Sequence, residues 1–289
     1  MERCQLLSSV IAKIDRLINT QVNCILHAPD FQELEASWRG VHWLVQTLKG
    51  SRKVKIRVLS VTLAEIARDI AHAIEFDQTF LFQKIYSAEY DMAGGEPFGL
   101  LLADFYFYHQ LNARLSATEI LSSLAQVAAA AFAPLITGVD PKLFGIDAMA
   151  ELKPTTPLQT ILKQKQYARW QQFRQSSDAR FLGLALPRVL LRRPYNFQGK
   201  KIAHRFFKEI VLAANDYVWG NACYGYGVIA IENFLKTGWF DGMRGQSKTN
   251  AEPGAVFVSQ VRQKILGDYD SCWQQLNSEI GRASCRERV

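Results

Sequence analysis

The stretch from Asp178 to Tyr195 constrains the fold of this chain more than any other. Its centre, Phe181–Leu191, is almost continuously apolar. A run that is apolar on both faces is typical of a strand buried in a sheet or of a segment packed against partners. Arginines are nevertheless attached to it, and a partly buried guanidinium stays charged and needs acidic or carbonyl partners. Two explanations stay open: internal ion pairs with acids such as Asp178, or contact with another subunit. The arginines are Arg180, Arg188, Arg192 and Arg193.

The chain's positive charge is concentrated around this stretch. The segment from Lys163 to Arg193 contains eight basic residues and one acid, Asp178. The formal net charge of the whole chain is +7. A localised basic face can serve nucleic acid, an acidic protein or a membrane surface. Aromatic residues are interleaved with the basic ones, as they are in nucleic-acid stacking platforms. A nucleic-acid-binding protein using Lys163–Arg193 is therefore our alternative hypothesis.

Composition and cysteine usage narrow the class of protein. The chain has 289 residues, of which 48% are hydrophobic and 21% charged, as expected for a globular protein with a sizeable core. Its five cysteines show neither CxxC spacing nor pairing, which disfavours a zinc site or a disulfide framework and predicts a reducing compartment. The longest apolar run, 124–139, is shorter than a bilayer span. We expect a cytoplasmic protein that does not insert into membranes.

The first 50 residues predict two helices. Apolar residues at helical spacing run from Leu6 to Ile18, with charged residues on the other face. This stripe can dock on its own domain or on a partner helix. Asp30 and Glu33 form a capping-box pattern at the start of the second helix, and Trp38 is expected to fill its core face. The second helix is expected to bury Phe31, Leu34, Trp38, Val41, Val45 and Leu48.

The middle of the chain predicts alternating strands and helices. Lys53–Val58 alternates strictly, which is typical of a half-exposed strand. Thr62 and Glu65 form a capping box for the next helix, and Asp77 is expected to cap a short one. Residues 100–108 predict a buried strand. Strands alternating with helices favour an α/β fold.

The second half continues the pattern with further helices. Ser116 and Glu119 are expected to cap an alanine-rich helix that runs to Phe132. Residues 158–175 and 206–212 are predicted to be helical. Two prolines in Lys153–Pro157 indicate a hinge between two lobes.

Sequence signals for catalysis are weak. Asp104 lies in an apolar strand, where a buried acid could have a raised pKa, but structural hydrogen bonding is the simpler role. Residues 242–249 resemble a phosphate loop but place Ser247 where the second glycine should be. We therefore predict no catalytic residue, no cofactor and no metal ligand.

An ordered series of motifs resembles the large subunit of the type VI secretion contractile sheath, the TssC/VipB (ImpC/EvpB) family. Phe31–Gly40 is similar to the family's Phe-Gln-x-Leu-Glu-x-x-Trp-Arg-Gly block, and Leu81–Asp104 to a further block. Later landmarks complete the series: Trp170, Arg174, Asp178, Arg180, Phe181, Leu186-Pro187-Arg188, Arg193-Pro194-Tyr195, Trp219-Gly-Asn-Ala222, Gly238-Trp239 and Arg244-Gly245.

The resemblance implies an α/β fold that is contractile-sheath-like, with a sheet core covered by helices and an N-terminal helical segment. It implies a non-enzymatic structural subunit that polymerises with the small sheath subunit (TssB/VipA) around a tube of Hcp. A ClpV-type AAA+ ATPase would recycle the contracted form. Candidate partner contacts are Leu6, Val10, Ile14, Leu17, Arg174, Arg180, Arg188, Arg192 and Arg193.

We divide the sequence into four parts on these grounds. They are an N-terminal helical segment (1–50), a first α/β lobe (51–153), a second, incomplete lobe (154–277) and a tail (278–289) that resembles translated vector sequence. The motifs cover Leu17 to Gly245, which is part of a full family member. We expect the missing terminal sections to impair ClpV recognition and the knitting of subunits.

Overall fold

A computed structural model describes residues 2–108, 116–146, 158–186, 188–195, 207–240 and 243. The helices are α1 (Glu2–Leu26), α2 (Pro29–Thr47), α3 (Leu63–His72), α4 (Phe80–Phe82), α5 (Ala117–Ala130), α6 (Leu158–Leu162), α7 (Ala168–Gln175) and α8 (Ala222–Thr237). The strands are β1 (Leu101–Phe107), β2 (Leu135–Val139), β3 (Leu182–Ala185), β4 (Val189–Leu190) and β5 (Trp219–Gly220).

These elements divide between two compact units. Unit 1 comprises Met1–His42 and Arg188–Gly220, and unit 2 comprises Trp43–Pro187 and Asn221–Val289. Each unit draws on segments that are far apart in sequence. The predicted lobes, 51–153 and 154–277, stay predictions, and the proposed hinge at 153–157 lies outside the described residues.

Unit 2 is built on a parallel sheet with helices on both faces. Its strand order is β1-β2-β3, with Leu101 opposite Leu135 and Leu135 opposite Leu182. One face of β1, carrying Leu101 and Ala103, packs into the core cluster that contains α5. On the other face Leu102 and Asp104 meet Gly227 and Tyr224 of α8. The coarser part of the fold prediction, an α/β fold with a helical N-terminal segment, is thus confirmed.

A bulge in β1 is stabilised from α8. The pairing with β2 shifts register between Ala103 and Tyr106. The Phe105 carbonyl there accepts hydrogen bonds from Thr137 Oγ1 at 3.0 Å and Asn221 Nδ2 at 2.9 Å. Asn221 also caps α8, because its Oδ1 accepts from the Cys223 N–H at 3.0 Å. One buried asparagine therefore joins the strand irregularity to the helix start.

Two predicted capping boxes are confirmed and two predicted caps are wrong. Thr62 with Glu65 and Ser116 with Glu119 form reciprocal capping boxes at α3 and α5. Asp77 caps no helix, because Thr79 accepts from the Phe82 N–H instead. Asp30 lies within the first turn of α2, which begins one residue earlier at a proline.

The alternating segment Lys53–Val58 is not a strand. Its side chains do alternate: Lys55 and Arg57 form ion pairs with Glu96 and Glu89, while the apolar side chains between them are half-buried. Within the described residues, however, no other strand pairs with its backbone. Side-chain alternation shows which face is apolar, but a strand also needs a hydrogen-bonded neighbour.

Three further predictions about helices and strands are corrected by the structure. Residues 207–212 are not helical, because the Glu209 and Ile210 N–H groups donate to the Tyr195 carbonyl at 2.9 Å and to Asn23 Oδ1 at 2.8 Å. The apolar run is two short strands, β3 and β4, rather than one. The predicted helix 158–175 is broken into α6, a 3-10 turn and α7. Helical propensity is a weak prior that tertiary contacts override.

The second helix has the opposite orientation to the predicted one. Trp38 is 64% exposed, and Phe31, Leu34 and Val45 of the predicted core face are exposed too. The buried side of α2 carries Ala36, Gly40, Leu44 and Thr47. The smaller residues of α2, together with Leu44, therefore face inward.

Candidate subunit interface

The N-terminal helix carries an uncovered apolar surface. Seven aliphatic side chains, each between 47% and 69% exposed, lie on one side of α1 over about three turns. We call this surface the α1 stripe; it consists of Leu6, Leu7, Val10, Ile11, Ile14, Leu17 and Ile18. Within the described residues nothing covers the stripe, so its docking on its own domain is not seen there. Contiguous exposed apolar surface of this kind is characteristic of interaction sites.

The C-terminal end of α1 is anchored in unit 1. The Asn23 side chain donates to the Lys208 carbonyl at 3.3 Å and accepts from the Ile210 N–H at 2.8 Å. One turn further on, His27 Nε2 lies 3.4 Å from Glu209 Oε1, an ion-pair distance when the imidazole is protonated. These contacts hold the helix end against residues 208–210 and leave the stripe open.

Arg192 lies at the centre of a buried ion network. Its Nε and Nη2 donate to Glu35 at 2.6 and 3.1 Å, and its Nη1 and Nη2 donate to Glu209 at 2.5 and 3.1 Å. The remaining N–H donates to the Arg193 carbonyl at 3.3 Å. All five guanidinium donors are thereby used. A subunit contact through this guanidinium would have to break one of these bonds.

The network also includes one aromatic neighbour, Tyr195, and one further basic residue, Arg39. Tyr195 stacks on Arg192, whose Cζ lies 4.3 Å from the ring centroid, and its N–H donates to Glu209 at 2.8 Å. Arg39 donates from Nε to Glu35 at 2.7 Å and from Nη2 to the Tyr195 hydroxyl at 2.5 Å. Two carboxylates and two guanidinium groups balance in charge, so burial does not leave a net charge.

The pKa values in the network follow from these contacts. Burial alone would lower the pKa of Arg192, but the hydrogen bonds that it donates to Glu209 and Glu35 raise its pKa above the ordinary value. Burial alone would raise the pKa of Glu209, but hydrogen bonds from Arg192 and the Tyr195 N–H hold it below its ordinary value. Both partners therefore stay ionised around neutral pH.

The other predicted arginines are exposed. Arg174 and Arg180 belong to unit 2, and Arg188 and Arg193 to unit 1. Arg180 Nε donates to the Ser177 carbonyl at 2.6 Å. Asp178, suggested from sequence as an internal partner, takes part in none of the ion pairs among the described residues and accepts from Ser177 Oγ.

Unit 2 gives Asp104 a structural partner. The Tyr224 hydroxyl donates to Asp104 Oδ2 at 2.8 Å across the sheet–helix interface. Burial, with the Asp104 charge nearby, raises the pKa of the Cys223 thiol well above its ordinary value, so this cysteine stays protonated.

Within the described ranges, no group of three or more His, Cys, Asp or Glu side chains is placed to hold a metal ion. The phosphate-loop-like residues lie almost entirely outside those ranges.

Comparison with known proteins decides the family. The family model described as EvpB/VC_A0108, tail sheath N-terminal domain, also called VipB, matches residues 8–280. This chain belongs to that tail sheath family. The match continues past Gly245, where the recognisable motifs end.

A curated relative carries the same assignment. The type VI secretion system sheath protein TssC1 of Pseudomonas aeruginosa (strain PAO1) is 35% identical over 243 residues. The aligned region covers 83% of this chain and 48% of TssC1, so the chain spans about half the length of that relative. The comparisons give no support to the nucleic-acid alternative.

Among the described residues, no helix combines the length and apolar character needed to cross a membrane.

Proposed function

We propose that this chain forms part of the large subunit of a type VI secretion contractile sheath. In this proposal it polymerises with the small sheath subunit (TssB/VipA) around an inner tube of Hcp and contracts to propel the tube. The observation that carries the proposal is the tail sheath family match over residues 8–280. The proposal places the assembly in the bacterial cytoplasm and assigns recycling of the contracted form to a ClpV-type ATPase.

The proposed role is mechanical rather than catalytic. A sheath does work when its subunits pass from an extended packing to a contracted packing of lower free energy. Each subunit must then keep its own shape while its contacts with neighbours change. In unit 1 the Arg192 network supports this requirement, because the guanidinium ties α2 (Glu35) to the segment around Glu209 through bidentate bonds.

The proposed contact surfaces are the α1 stripe and the exposed arginines. Aliphatic side chains on a rigid helix give contact area, and exposed charges set the orientation of partners and the rate of association. Arg174, Arg180, Arg188 and Arg193 are all exposed and suit contacts with acidic groups of neighbouring subunits. Arg192 instead holds unit 1 together.

Co-expression with a small sheath subunit tests the proposal. The expected result is a co-purifying complex, together with tubules that electron microscopy shows to be fewer or shorter than those of a full-length large subunit. Replacing Ile14 and Leu17 together by Asp should abolish the tubules, while Leu212→Asp should not, because Leu212 is an exposed unit 1 residue outside the α1 stripe. A chain that forms no complex contradicts the proposal. Steeply salt-dependent binding to an unrelated oligonucleotide would favour the nucleic-acid alternative instead.

A further inference from the structure

The helix α2 presents its large apolar residues to solvent. Phe31, Leu34 and Trp38 follow one another at i, i+3 and i+7, so they share a helix face, and all three are exposed. We call these three residues the α2 face. The opposite side of the helix buries Ala36 and Gly40. An exposed tryptophan beside aliphatic and aromatic residues is the kind of residue that dominates binding energy in protein interfaces.

Unit 1 therefore carries two different uncovered apolar helix faces. One is the α1 stripe, and the other is the α2 face. Leu7, Ile11, Ile14 and Ile18 form a ridge at spacings of three and four residues, which is the pattern that interdigitates with another helix. The described part of unit 1 leaves both faces exposed.

The charges beside the two faces are complementary. At the edge of the stripe α1 exposes Lys13, while exposed Arg16 and half-buried Asp15 lie further round the helix. At the edge of the α2 face the helix exposes Asp30, while exposed Glu33 lies further round the helix. None of these exposed charges takes part in an ion pair among the described residues. A basic-flanked helix and an acidic-flanked helix favour each other over a second copy of themselves.

We propose that the α1 stripe of one copy of this chain packs on the α2 face of a second copy. The contact is heterologous, because the two surfaces differ, so after the first contact one copy keeps a free α2 face and the other keeps a free α1 stripe. Such a contact propagates into a ring or an open helical filament. The inference deepens the proposed function, since it names a contact between large subunits of a sheath.

Mixing two complementary variants of this chain tests the contact without the small subunit. Size-exclusion chromatography with light scattering should show the parent chain forming concentration-dependent species larger than a dimer. Ile14→Glu damages only the stripe and Trp38→Glu only the α2 face, so each variant alone should be monomeric. An equimolar mixture should give a dimer and nothing larger, because the intact stripe of one variant meets the intact face of the other.

Leu212→Glu is the matched control, because it places the same charge on an 89% exposed leucine in the same unit. It should associate as the parent does, and circular dichroism should show that all variants are folded. A parent chain that stays monomeric overturns the inference, and so does a mixture of the two variants that yields no dimer. If the parent chain stays monomeric alone but still forms tubules with the small sheath subunit, the proposed function is supported and only the contact between large subunits is wrong.

Discussion

Arg192 and Glu209 form a bidentate ion pair in the interior of unit 1, with Nη1–Oε2 and Nη2–Oε1 distances of 2.5 and 3.1 Å. The two side chains are almost fully buried. Glu35 of α2 accepts a hydrogen bond from the same guanidinium. Arg192 therefore links parts of unit 1 that are 157 residues apart in sequence. This pair makes the stability of unit 1 depend on one residue of the arginine-rich stretch.

Arg192→Ala should destabilise the chain strongly. It removes the cation and leaves Glu35 and Glu209 buried with like charge, and removing one partner of a buried ion pair costs about 3–5 kcal/mol. The free energy of unfolding, measured by urea denaturation, should fall by about that amount.

The neighbouring Arg193 provides the control. It is exposed, so Arg193→Ala should change the free energy of unfolding by no more than about 0.5 kcal/mol. Equal losses for the two variants would show that the buried network does not stabilise the fold.

The stability of the chain should fall at acid pH in a way that depends on Glu209. Its pKa is lowered from the ordinary 4.5, so the folded state binds the proton less readily than the unfolded state. The stabilisation is fully present above about pH 4.5 and is lost as the pH falls through the lower folded-state pKa. Glu209→Gln cannot lose a charge, so its free energy of unfolding should decline less steeply below about pH 4.5 than that of the parent.

Urea denaturation at a series of pH values measures this difference. Glu232→Gln on α8 is the matched control, because Glu232 is exposed, and it should keep the steep decline of the parent. Parallel curves for Glu209→Gln and the parent would contradict the assigned role of Glu209.

Several features of the fold that depend on neighbouring residues could be predicted from the sequence, although the caps at Asp30 and Asp77 could not. The capping boxes at Thr62 and Ser116 each need two side chains three residues apart, and both formed. The strand at 101–107 and the alanine-rich helix also follow from local composition. These signals act over a few residues, so no knowledge of the tertiary structure is needed to read them.

Features that depend on distant residues could not be predicted. Residues 207–212 looked helical, but their backbone bonds to Tyr195 and Asn23 could not be foreseen from that segment. Periodicity likewise predicted which residues of α2 share a face but not whether that face is buried.

The candidate site was predictable only in part. The apolar pattern of the α1 stripe is visible in the sequence, although its exposure is not. The arginine-rich stretch predicted a need for acidic partners, and Arg192 has them. Their identity could not be inferred, because Glu35 and Glu209 lie 157 and 17 residues away, whereas the nearest acid in sequence, Asp178, was the suggested partner.

Gly138→Ala should destabilise unit 2 through Asn221. A methyl group at Gly138 would lie 2.6 Å from Nδ2 and Oδ1 of Asn221, which cannot move away because both atoms are hydrogen-bonded. Overpacking of this kind costs about 1–3 kcal/mol. Thermal unfolding should show a lower midpoint for this variant.

Gly99→Ala is the comparison for this substitution. The nearest atoms to an added methyl group there are ring carbons of Phe240 at 3.9 Å, an ordinary contact distance. Its unfolding midpoint should match that of the parent. A Gly138→Ala variant as stable as Gly99→Ala would mean that Asn221 is free to shift.

Two substitutions on α2 distinguish its inner and outer sides. Leu44 is buried, so Leu44→Ala should lower the free energy of unfolding by about 2–5 kcal/mol. Trp38 is exposed, so Trp38→Ala should change it by no more than about 0.5 kcal/mol, although a tryptophan buried in a core would cost about 3–5 kcal/mol. Urea denaturation of both variants, at protein concentrations low enough to keep the chain monomeric, measures the contrast. A large loss for Trp38→Ala would show that the tryptophan faces the core, as its position in the apolar stripe of the sequence had suggested.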